Sequence, residues 1–527
     1  MNIKRAKQEV KNTIEAYLLK DEFGAYAIPS IRQRPVLLIG PPGVGKTQIM
    51  EQIARECQVG LVSYTITHHT RQSAVGLPFI SKKSYGGKEY SVTEYTMSEI
   101  VASIYNKIEN TGLKEGILFI DEINCVSETL APTMLQFLQC KTFGNHKIPE
   151  GWIIVAAGNP PEFNKSVREF DIVTLDRIKL VQVEADFEVW KEYAYQESIH
   201  PAIISYLDVK NQNFCQIETT VDGKLFATPR GWEDLSRLIE VYEKLGKPVD
   251  RDVIFQYIQH PAISKDFANY LELYYKYENE YQVAEILKGV INEDLCEKLV
   301  RAPFDEKLSV ISLVLSKLGS MFKDGMEQEN FVAMLMEQLK VFKEGLEVAD
   351  EKAAAARIEN GTAAGSGEEK ETRPVSATSR LGEVLTAFRM ERRRKKEAEL
   401  LGRKEDYRYR RVIKKIEGYI QILKSEHLED MDAAWERIKE LFAEESKHYN
   451  DMIDDCGEAL EHGFDFMEAA FGDSQEMVIF ITNLNTNYYC VRFLQEYECE
   501  RYYQYNKKLL FEDREGELKK RIDSALQ

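Results

Sequence analysis

Short runs of apolar and β-branched residues recur along the N-terminal part of the chain, and each has the length of one β-strand. They occupy residues 36–39, 60–66, 116–122, 151–159 and 179–184. Most runs are nearly continuous rather than alternating, a pattern typical of parallel strands that are buried on both faces. The segments between them carry apolar residues at helical spacing. This alternation of strands and helices predicts an α/β layer built around a parallel sheet.

One segment of this region breaks the alternation. Residues 79–95 consist of two short alternating stretches on either side of Gly86 and Gly87. Paired glycines between two such stretches are typical of a β-hairpin turn. Because the segment interrupts a position where a helix of the α/β layer is expected, we predict that the hairpin is an insertion that projects from the domain.

The rest of the chain is predicted to be mainly helical. Residues 187–304 have helical periodicity, and residues 305–349 have the pattern of two further amphipathic helices. Residues 350–382 contain few large apolar side chains and many Ala, Gly, Glu, Ser and Thr, a composition that predicts a flexible linker. The last segment, 383–527, is predicted to be a charged helical domain.

Charge and composition restrict the classes of function. The chain has 527 residues and a formal net charge of −18, which disfavours binding of the whole molecule to nucleic acid or to an anionic membrane. It has no signal-peptide pattern and no run of about 18 uncharged apolar residues, so we expect a cytoplasmic protein without membrane insertion. Its eight cysteines include no C-x-x-C pair, which argues against a disulfide framework or a zinc site.

The glycine-rich segment at residues 40–47, GPPGVGKT, is the strongest chemical signal in the chain. Its spacing satisfies G-x-x-x-x-G-K-[ST], and it lies between a predicted strand and a predicted helix, as a phosphate-binding loop does. Glycines let backbone N–H groups approach phosphate oxygens, while the lysine reaches the β- and γ-phosphates and the threonine hydroxyl can hold Mg²⁺. The candidate nucleotide-binding residues are Gly40, Pro41, Pro42, Gly43, Val44, Gly45, Lys46, Thr47 and Gln48.

Two carboxylates end the buried strand predicted at 116–122. Asp121 can hold the coordination shell of Mg²⁺ through water, and Glu122 can polarise the water that attacks the γ-phosphate. A hydrophobic strand followed by Asp-Glu is a weak signal alone. Its position after a phosphate-binding loop makes Thr47 and Asp121 the predicted metal site and Glu122 the predicted catalytic residue.

Asn159 ends the buried strand predicted at 151–159. A polar side chain at the carboxyl end of a strand beside the phosphate-binding strand can orient the attacking water or detect the γ-phosphate. Since Pro160 and Pro161 follow, a plain turn residue is the alternative. The position of Asn159 relative to the other motifs favours the functional interpretation.

These motifs together resemble those of the AAA+ ATPases and, within them, the MoxR family. The resemblance covers roughly residues 33–240. The motifs that carry it are GPPGVGKT, TRQSAVGLP at 70–78, ILFIDEIN at 117–124, AAGNP at 156–160, TLDR at 174–177 and ATPRGWEDL at 227–235. Many enzymes share the first motif, whereas RQSAVGLP combined with PRGWEDLS is specific to the MoxR branch.

The resemblance implies an α/β P-loop NTPase core with a parallel sheet at 35–186, after an N-terminal lead-in at 1–34. It further implies a helical AAA+ lid at 187–304, and the mostly α-helical C-terminal extension lies outside it. ATP and Mg²⁺ are the cofactors that it implies. The expected assembly is a hexameric ring of identical subunits with nucleotide bound between protomers.

The resemblance also assigns roles to individual residues. Asn159 becomes the first sensor, Arg230 the second sensor at the start of a lid helix, and Arg177 the arginine finger that acts on the neighbouring protomer. A guanidinium suits both arginine tasks because its planar fork can neutralise charge spread over phosphoryl oxygens. Arg168 is the competing finger, and a surface ion pair with Asp176 is the structural alternative for Arg177.

The function implied by the resemblance is chaperone-like: ATP hydrolysis in a ring that remodels or matures a protein client. MoxR-like ATPases are associated with proteins that carry von Willebrand factor A-type domains, so such a protein is the expected partner. A nucleic-acid-directed AAA+ motor is one alternative. A nucleotide-gated scaffold with little turnover is the other.

The alternatives depend partly on a basic segment at 389–415, which has thirteen Lys and Arg against five Asp and Glu. Such a block is either a nucleic-acid contact or the solvated face of helices that pair with the acidic stretch after it. We favour paired helices, because the acidic stretch competes for the basic side chains and the whole chain repels polyanions.

Overall fold

A computed structural model describes residues 1–68, 74, 76–143, 146–163, 170, 172–221, 223–360 and 376–508, with backbone alone at 345–360. Its strands are β1 Val36–Ile39, β2 Gly60–Thr65, β3 Pro78–Tyr85, β4 Lys88–Tyr95, β5 Gly116–Asp121, β6 Thr142–Phe143, β7 His146–Lys147, β8 Trp152–Gly158, β9 Lys179–Gln182, β10 Gln216–Thr220 and β11 Gly223–Ala227. The fold is an α/β P-loop domain followed by a mostly helical remainder.

Helices surround the sheet and make up nearly all of the C-terminal half. They are α1 Ile3–Leu18, α2 Lys46–Cys57, α3 Glu99–Thr111, α4 Ala131–Cys140, α5 Ile172–Leu175, α6 Phe187–Gln196, α7 Pro201–Val209, α8 Pro229–Leu245, α9 Arg251–Phe255, α10 Pro261–Tyr281, α11 Val283–Ile286, α12 Glu293–Arg301, α13 Phe304–Asn360, α14 Ala377–Glu397, α15 Arg403–Ser425, α16 Met431–Phe471, α17 Gln475–Thr486 and α18 Tyr488–Glu496. Among the described residues, none of these helices is both long and apolar enough to cross a membrane.

The main sheet contains the five predicted strands, all parallel, in the order β2-β5-β8-β1-β9. Successive side chains of a strand point to opposite faces. In β1, Val36 and Leu38 pack in the same apolar cluster as Ile53 of α2, while Leu37 joins the opposite cluster with Phe137 of α4. The sheet is therefore covered on both faces, which explains why its strands are continuously apolar.

Residues 78–95 form a β-hairpin at the predicted place. Strands β3 and β4 pair in antiparallel register from Pro78 with Tyr95 to Tyr85 with Lys88, with the two glycines in the turn. Most of its side chains are exposed, including that of Ile80. The pair forms a separate two-stranded sheet, so it stands apart from the five-stranded layer.

The predicted lid is helical but also contains a small antiparallel sheet of β10 and β11. We did not expect this sheet. Its alternating segment, with Thr219 and Thr220 near the turn, has strand propensity, but it is short and lies between two helical stretches. Because the segments on both sides have helical periodicity, the sequence pattern does not predict this sheet.

The predicted helix boundaries after residue 304 require correction. Instead of two helices at 305–349 and a linker from 350, helix α13 runs unbroken to Asn360, and α14 already begins at Ala377. A Cβ on Gly319 would lie 2.7 Å from Nδ2 of Asn487, so this glycine permits close packing instead of ending the helix. Residues 350–360 contain four Ala, two Glu, one Lys and one Arg, all of which favour helix. Of the predicted linker, 361–375 lie outside the described residues.

The hydrophobic cores do not follow the predicted boundary between lid and C-terminal domain. Lid residues such as Trp232 and Phe267 share one buried cluster with Phe464 of α16 and Phe493 of α18. A separate cluster joins residues 331–342 of α13 to the helices α14 and α15. The C-terminal region therefore completes its cores with side chains from the lid and α13.

We expect Phe493→Ala to destabilise the lid and the C-terminal helices together. The Phe493 ring stacks on Phe322 of α13 with centroids 4.2 Å apart, and truncation of such a buried ring costs about 3–5 kcal/mol. Unfolding in denaturant can be monitored by limited proteolysis. Both regions should become susceptible to the protease at the same denaturant concentration, and this midpoint should be lower than in the unaltered protein.

The matched control is Val478→Ala on α17, where the side chain is 38% exposed and little change is expected. A variant whose C-terminal helices unfold while the lid keeps its original midpoint would contradict the shared core.

Candidate functional site

The phosphate-binding loop connects β1 to α2 and ends on the first turn of that helix. Gly45 is the N-cap of α2, with a left-handed φ of +92° that favours glycine. Gly43 also has a left-handed φ, +80°, and a Cβ there would lie 3.2 Å from Cβ of Arg230. The loop therefore presents the unpaired N–H groups at the start of α2, which is a favourable position for phosphate.

Lys46 is buried at the centre of the loop. Its ammonium group donates hydrogen bonds to the carbonyl oxygens of Gly40 and Pro41, both at 2.8 Å, and to Oδ1 of Asn159 at 3.0 Å. Burial lowers the pKa of Lys46 to about 8; the Asp121 carboxylate opposes this shift, and the positive charge of Arg230 adds to it. The lysine is thus held in position by neutral acceptors before any phosphate is bound.

Thr47 and Asp121 meet at the predicted metal position. The Thr47 hydroxyl donates to Oδ2 of Asp121 across 2.9 Å, between the first turn of α2 and the end of β5. Mg²⁺ binds hard oxygen ligands in octahedral geometry with bonds of about 2.0–2.1 Å, so its neighbouring ligands lie about 2.9 Å apart. This donor pair fits Mg²⁺, and the hydroxyl can contact the ion while it remains bonded to the carboxylate.

Glu122 follows directly and has an unusual backbone. Its φ of +57° is left-handed, a conformation that is rare for a residue other than glycine. Its N–H donates to Oδ1 of Asp121 at 2.9 Å, and its carbonyl accepts from the N–H of Cys125 at 2.9 Å. Strained residues of this kind concentrate at functional sites, where the surrounding contacts hold them in place.

Asn159 lies just beyond β8, the strand between β1 and β5. Its side chain contacts Lys46, and its backbone carbonyl accepts from Nδ2 of Asn124 at 2.7 Å. The turn-only alternative predicts no contact with the phosphate-binding lysine. The side chain of Asn159 is therefore part of the site.

Arg230 is the first residue after Pro229 at the start of α8, and it faces the phosphate-binding loop. The helix is capped by Thr228, whose hydroxyl accepts from the N–H of Gly231 at 3.2 Å. The close approach to Gly43 and the electrostatic effect on Lys46 both show that the lid residue Arg230 reaches the loop. The predicted second sensor is thus adjacent to the phosphate position.

A cavity of about 240 Å³ lies beside the loop. It is lined by α1, the loop, α2 and the lid helices α6 and α8, with Gln48 and Tyr193 among its side chains. Nε2 of Gln48 donates to the Tyr193 hydroxyl at 2.6 Å, which donates to Oε1 of Glu233 at 3.2 Å. This chain of contacts joins α2 directly to the lid.

Sequence reasoning missed Tyr193, Glu233 and Asn124. Tyr193 occupies an ordinary amphipathic helix, and no local pattern distinguishes it from other helix residues. Glu233 belongs to the ATPRGWEDL motif, but the motif does not indicate its contact with Tyr193. Asn124 has a usable signal, because it lies two residues after the Asp-Glu pair, at the end of the ILFIDEIN motif. Its role depends on a contact with a different strand, which the motif alone does not indicate.

Arg177 lies away from these residues. It precedes β9, whose first residue pairs with Val36 at the start of β1, so about 13 Å of strand separates it from the loop at about 3.3 Å per residue. Its exposed guanidinium donates to Oε1 of Gln139 at 2.5 Å. An ion pair with Asp176 is not found among the described residues, and Arg168 lies outside them.

A family model described as "ATPase family associated with various cellular activities (AAA)" matches residues 36–175. That range begins with β1 and includes the loop, Asp121, Glu122 and Asn159. Residues 36–175 form an AAA ATPase domain. The predicted AAA resemblance is thereby confirmed for this domain, and the narrower MoxR assignment stays a prediction.

The solved structures that match include two mutants of RuvB from Thermotoga maritima. They are 16% and 18% identical to this chain, with TM-scores of 0.27 and 0.26. Each match covers 49% of this chain and 69% of the RuvB chain. These TM-scores are too low to indicate function. No curated protein matches the chain.

We expect nucleotide affinity to fall as the pH rises above about 8. The Lys46 ammonium loses its proton above its lowered pKa, and a neutral amine no longer attracts phosphate. The loss should approach about tenfold per pH unit above that pKa, as linkage requires for one proton. Binding of an ATP analogue between about pH 7.5 and 9.5 measures it.

Lys46→Ala is the control, since it should bind weakly with a flat pH dependence over this range. Equal affinity of the unaltered protein at both ends of the range would exclude Lys46 as the titrating phosphate partner.

Proposed function

We propose that this protein is an Mg²⁺-dependent ATP hydrolase of the MoxR-like AAA+ type. The observation that carries this proposal is the convergence of Lys46, Thr47, Asp121 and Asn159 through hydrogen bonds of 2.9–3.0 Å at one edge of the sheet. These residues come from three different strand ends, and the match to the AAA family covers all of them. Together they supply a phosphate-binding cation, a metal ligand pair and a polar sensor.

In this proposal, each residue of the site has a separate role in the reaction. Lys46 and the N–H groups of α2 bind the β- and γ-phosphates, and Arg230 closes the site from the lid. Glu122 polarises the attacking water and accepts its proton while the bond between the γ-phosphorus and the bridging oxygen breaks. Thr47 and Asp121 would hold Mg²⁺, which neutralises charge on the phosphate oxygens when bound.

The wider proposal is that the enzyme works as a hexameric ring and remodels a protein client. It is supported by the exposed position of Arg177, which is too far from its own loop to contact the nucleotide there. It is also supported by the fusion of the lid to a large helical region, which lets lid motion reach a partner. A protein with a von Willebrand factor A-type domain is the partner that the MoxR assignment implies.

The ion pairs of the basic segment at 389–415 favour a protein client over a nucleic-acid substrate. Most of its charged side chains form ion pairs, such as Arg392 with Asp406 at 2.7 Å and Lys415 with Glu445. Two of the described pairs, Arg389 with Glu417 and Lys415 with Glu445, join the basic segment to the acidic stretch, so the predicted partner stretch accounts for part of the pairing. Basic groups committed to carboxylates are less available to phosphate.

Two variants should separate binding from hydrolysis. Lys46→Ala removes the phosphate charge partner and should weaken ATP binding, whereas Glu122→Gln should bind ATP but turn it over at least about 100-fold more slowly. Nucleotide titration and steady-state phosphate release measure the two effects.

Normal turnover by Glu122→Gln would remove Glu122 from the catalytic role. Nucleotide-dependent assembly without measurable turnover by the unaltered protein would favour the scaffold alternative. The ATP-loaded Glu122→Gln ring should also retain its protein client, which ADP should release.

Arg177 should act on a neighbouring protomer. Arg177→Ala and Glu122→Gln should each be nearly inactive, yet a mixture should recover activity because a mixed ring contains interfaces with both groups intact. Phosphate release at several mixing ratios, with co-assembly verified by light scattering, measures this recovery.

Absence of recovery in a verified mixed assembly would exclude action in trans. Full activity of Arg177→Ala with loss of activity in Arg168→Ala would assign the finger to Arg168.

A further inference from the structure

Asn124 links two parts of the site that belong to different strands. It lies in the short 3₁₀ turn Ile123–Cys125 that follows Glu122, and its Nδ2 donates to the backbone carbonyl of Asn159 at 2.7 Å. β5 and β8 are neighbouring parallel strands, so this contact connects their carboxyl ends directly beyond the sheet. Asn124 is not among the residues assigned above to the phosphates or to the metal.

The orientation of the Asn124 amide is fixed by its surroundings. If the group were turned over, its oxygen would face the carbonyl oxygen of Asn159, and two acceptors would be opposed. With the nitrogen placed there, Oδ1 is buried and has no hydrogen-bond partner among the described residues. Asn124 is 4% exposed, so its unsatisfied oxygen costs folding free energy. The contact of Nδ2 with Asn159 is kept in spite of this cost.

Gly158 makes room for this arrangement. A Cβ at that position would lie 2.5 Å from Oδ1 and 2.8 Å from Cγ of Asn124. Both distances are shorter than van der Waals contact, and all three nearest atoms belong to Asn124. Gly158, the last residue of β8, therefore leaves the space that the Asn124 side chain occupies.

Both ends of the contact carry functional groups. On one side, Cys125 N–H bonds to the carbonyl of Glu122, so the turn that contains Asn124 holds Glu122 in its left-handed conformation. On the other side, the residue whose carbonyl is bound, Asn159, places its own side chain on Lys46. A shift of the Asn124 contact would change the distance between Glu122 and Asn159.

We propose that Asn124 is a positioning residue that aligns Glu122 with Asn159 for attack of water on the γ-phosphate. The inference rests on the ATP hydrolysis proposed above and assigns a second task to the Asp-Glu motif beyond its two carboxylates. Asn124 contacts neither substrate nor metal in this assignment. It acts through the backbone of both catalytic segments.

Substitution of Asn124 should lower turnover without weakening nucleotide binding. In Asn124→Ala and Asn124→Asp we expect kcat to fall about 10- to 100-fold, because a displacement near 1 Å costs about this much. The Kd for an ATP analogue should change less than about threefold. Asn106→Ala, at an exposed position of α3, is the matched control and should leave both unchanged.

The fall in kcat at unchanged Kd is the readout that a merely structural role would not give, and double-mutant cycles test whether Gly158 and Glu122 act through Asn124. Gly158→Ala should lower kcat by forcing Asn124 aside, but it should cost little more in the Asn124→Ala background, where the clash is absent. In the Glu122→Gln background, Asn124→Ala should likewise cause little further loss of kcat.

The outcomes separate this inference from the proposed function. Absence of ATP hydrolysis by the unaltered protein contradicts the proposed function. Hydrolysis that is undiminished in Asn124→Ala and Asn124→Asp overturns the positioning role alone. Parallel loss of nucleotide binding and turnover in both variants also overturns it, since Asn124 would then maintain the fold of the site. So does a full additional loss of kcat from Asn124→Ala in the Glu122→Gln background, since Asn124 would then not act through Glu122.

Discussion

The buried ammonium group of Lys46 is the constraint on which the site depends. A desolvated cation is costly unless it is well bonded, and here two backbone carbonyls and the Asn159 amide oxygen satisfy it. None of these three acceptors carries a full charge, so the group keeps a strong attraction for phosphate. The same contacts fix the loop against the end of β8, and so the cation that binds the substrate also joins two strands.

The remaining polar groups converge because parallel strands end at one edge of a sheet. Asp121 ends β5 and Asn159 follows β8, while β1 leads into the loop, and the order β5-β8-β1 places these three ends side by side. Hydrogen bonds from Thr47 to Asp121 and from Asn124 to Asn159 then connect neighbouring ends. Arg177, which precedes a strand instead of following one, lies at the opposite edge for the same reason.

Local patterns in the sequence predicted the five-stranded sheet, the hairpin of β3 and β4 and the position of the phosphate-binding loop. These features depend on residues that are close in the chain. Packing between distant segments could not be predicted in this way: nothing near Gly319 in the sequence indicates that Asn487 lies against it. Tyr193 and Glu233 likewise acquire their role only when the lid closes on Gln48.

The C-terminal region is bound to the lid much more strongly than to the α/β core. Its described ion pair with the core, Lys107 with Glu399, involves a carboxylate that is 70% exposed, and such pairs contribute about 0–1 kcal/mol. By contrast, each large apolar side chain that the tail buries in the lid cluster, such as Phe493, contributes about 1.5–3 kcal/mol. The tail and the lid therefore form one packed unit. Tyr193 of the lid lines the cavity beside the phosphate-binding loop, and the shared core joins the lid to the C-terminal helices, so a continuous packed path connects that cavity to the helical region.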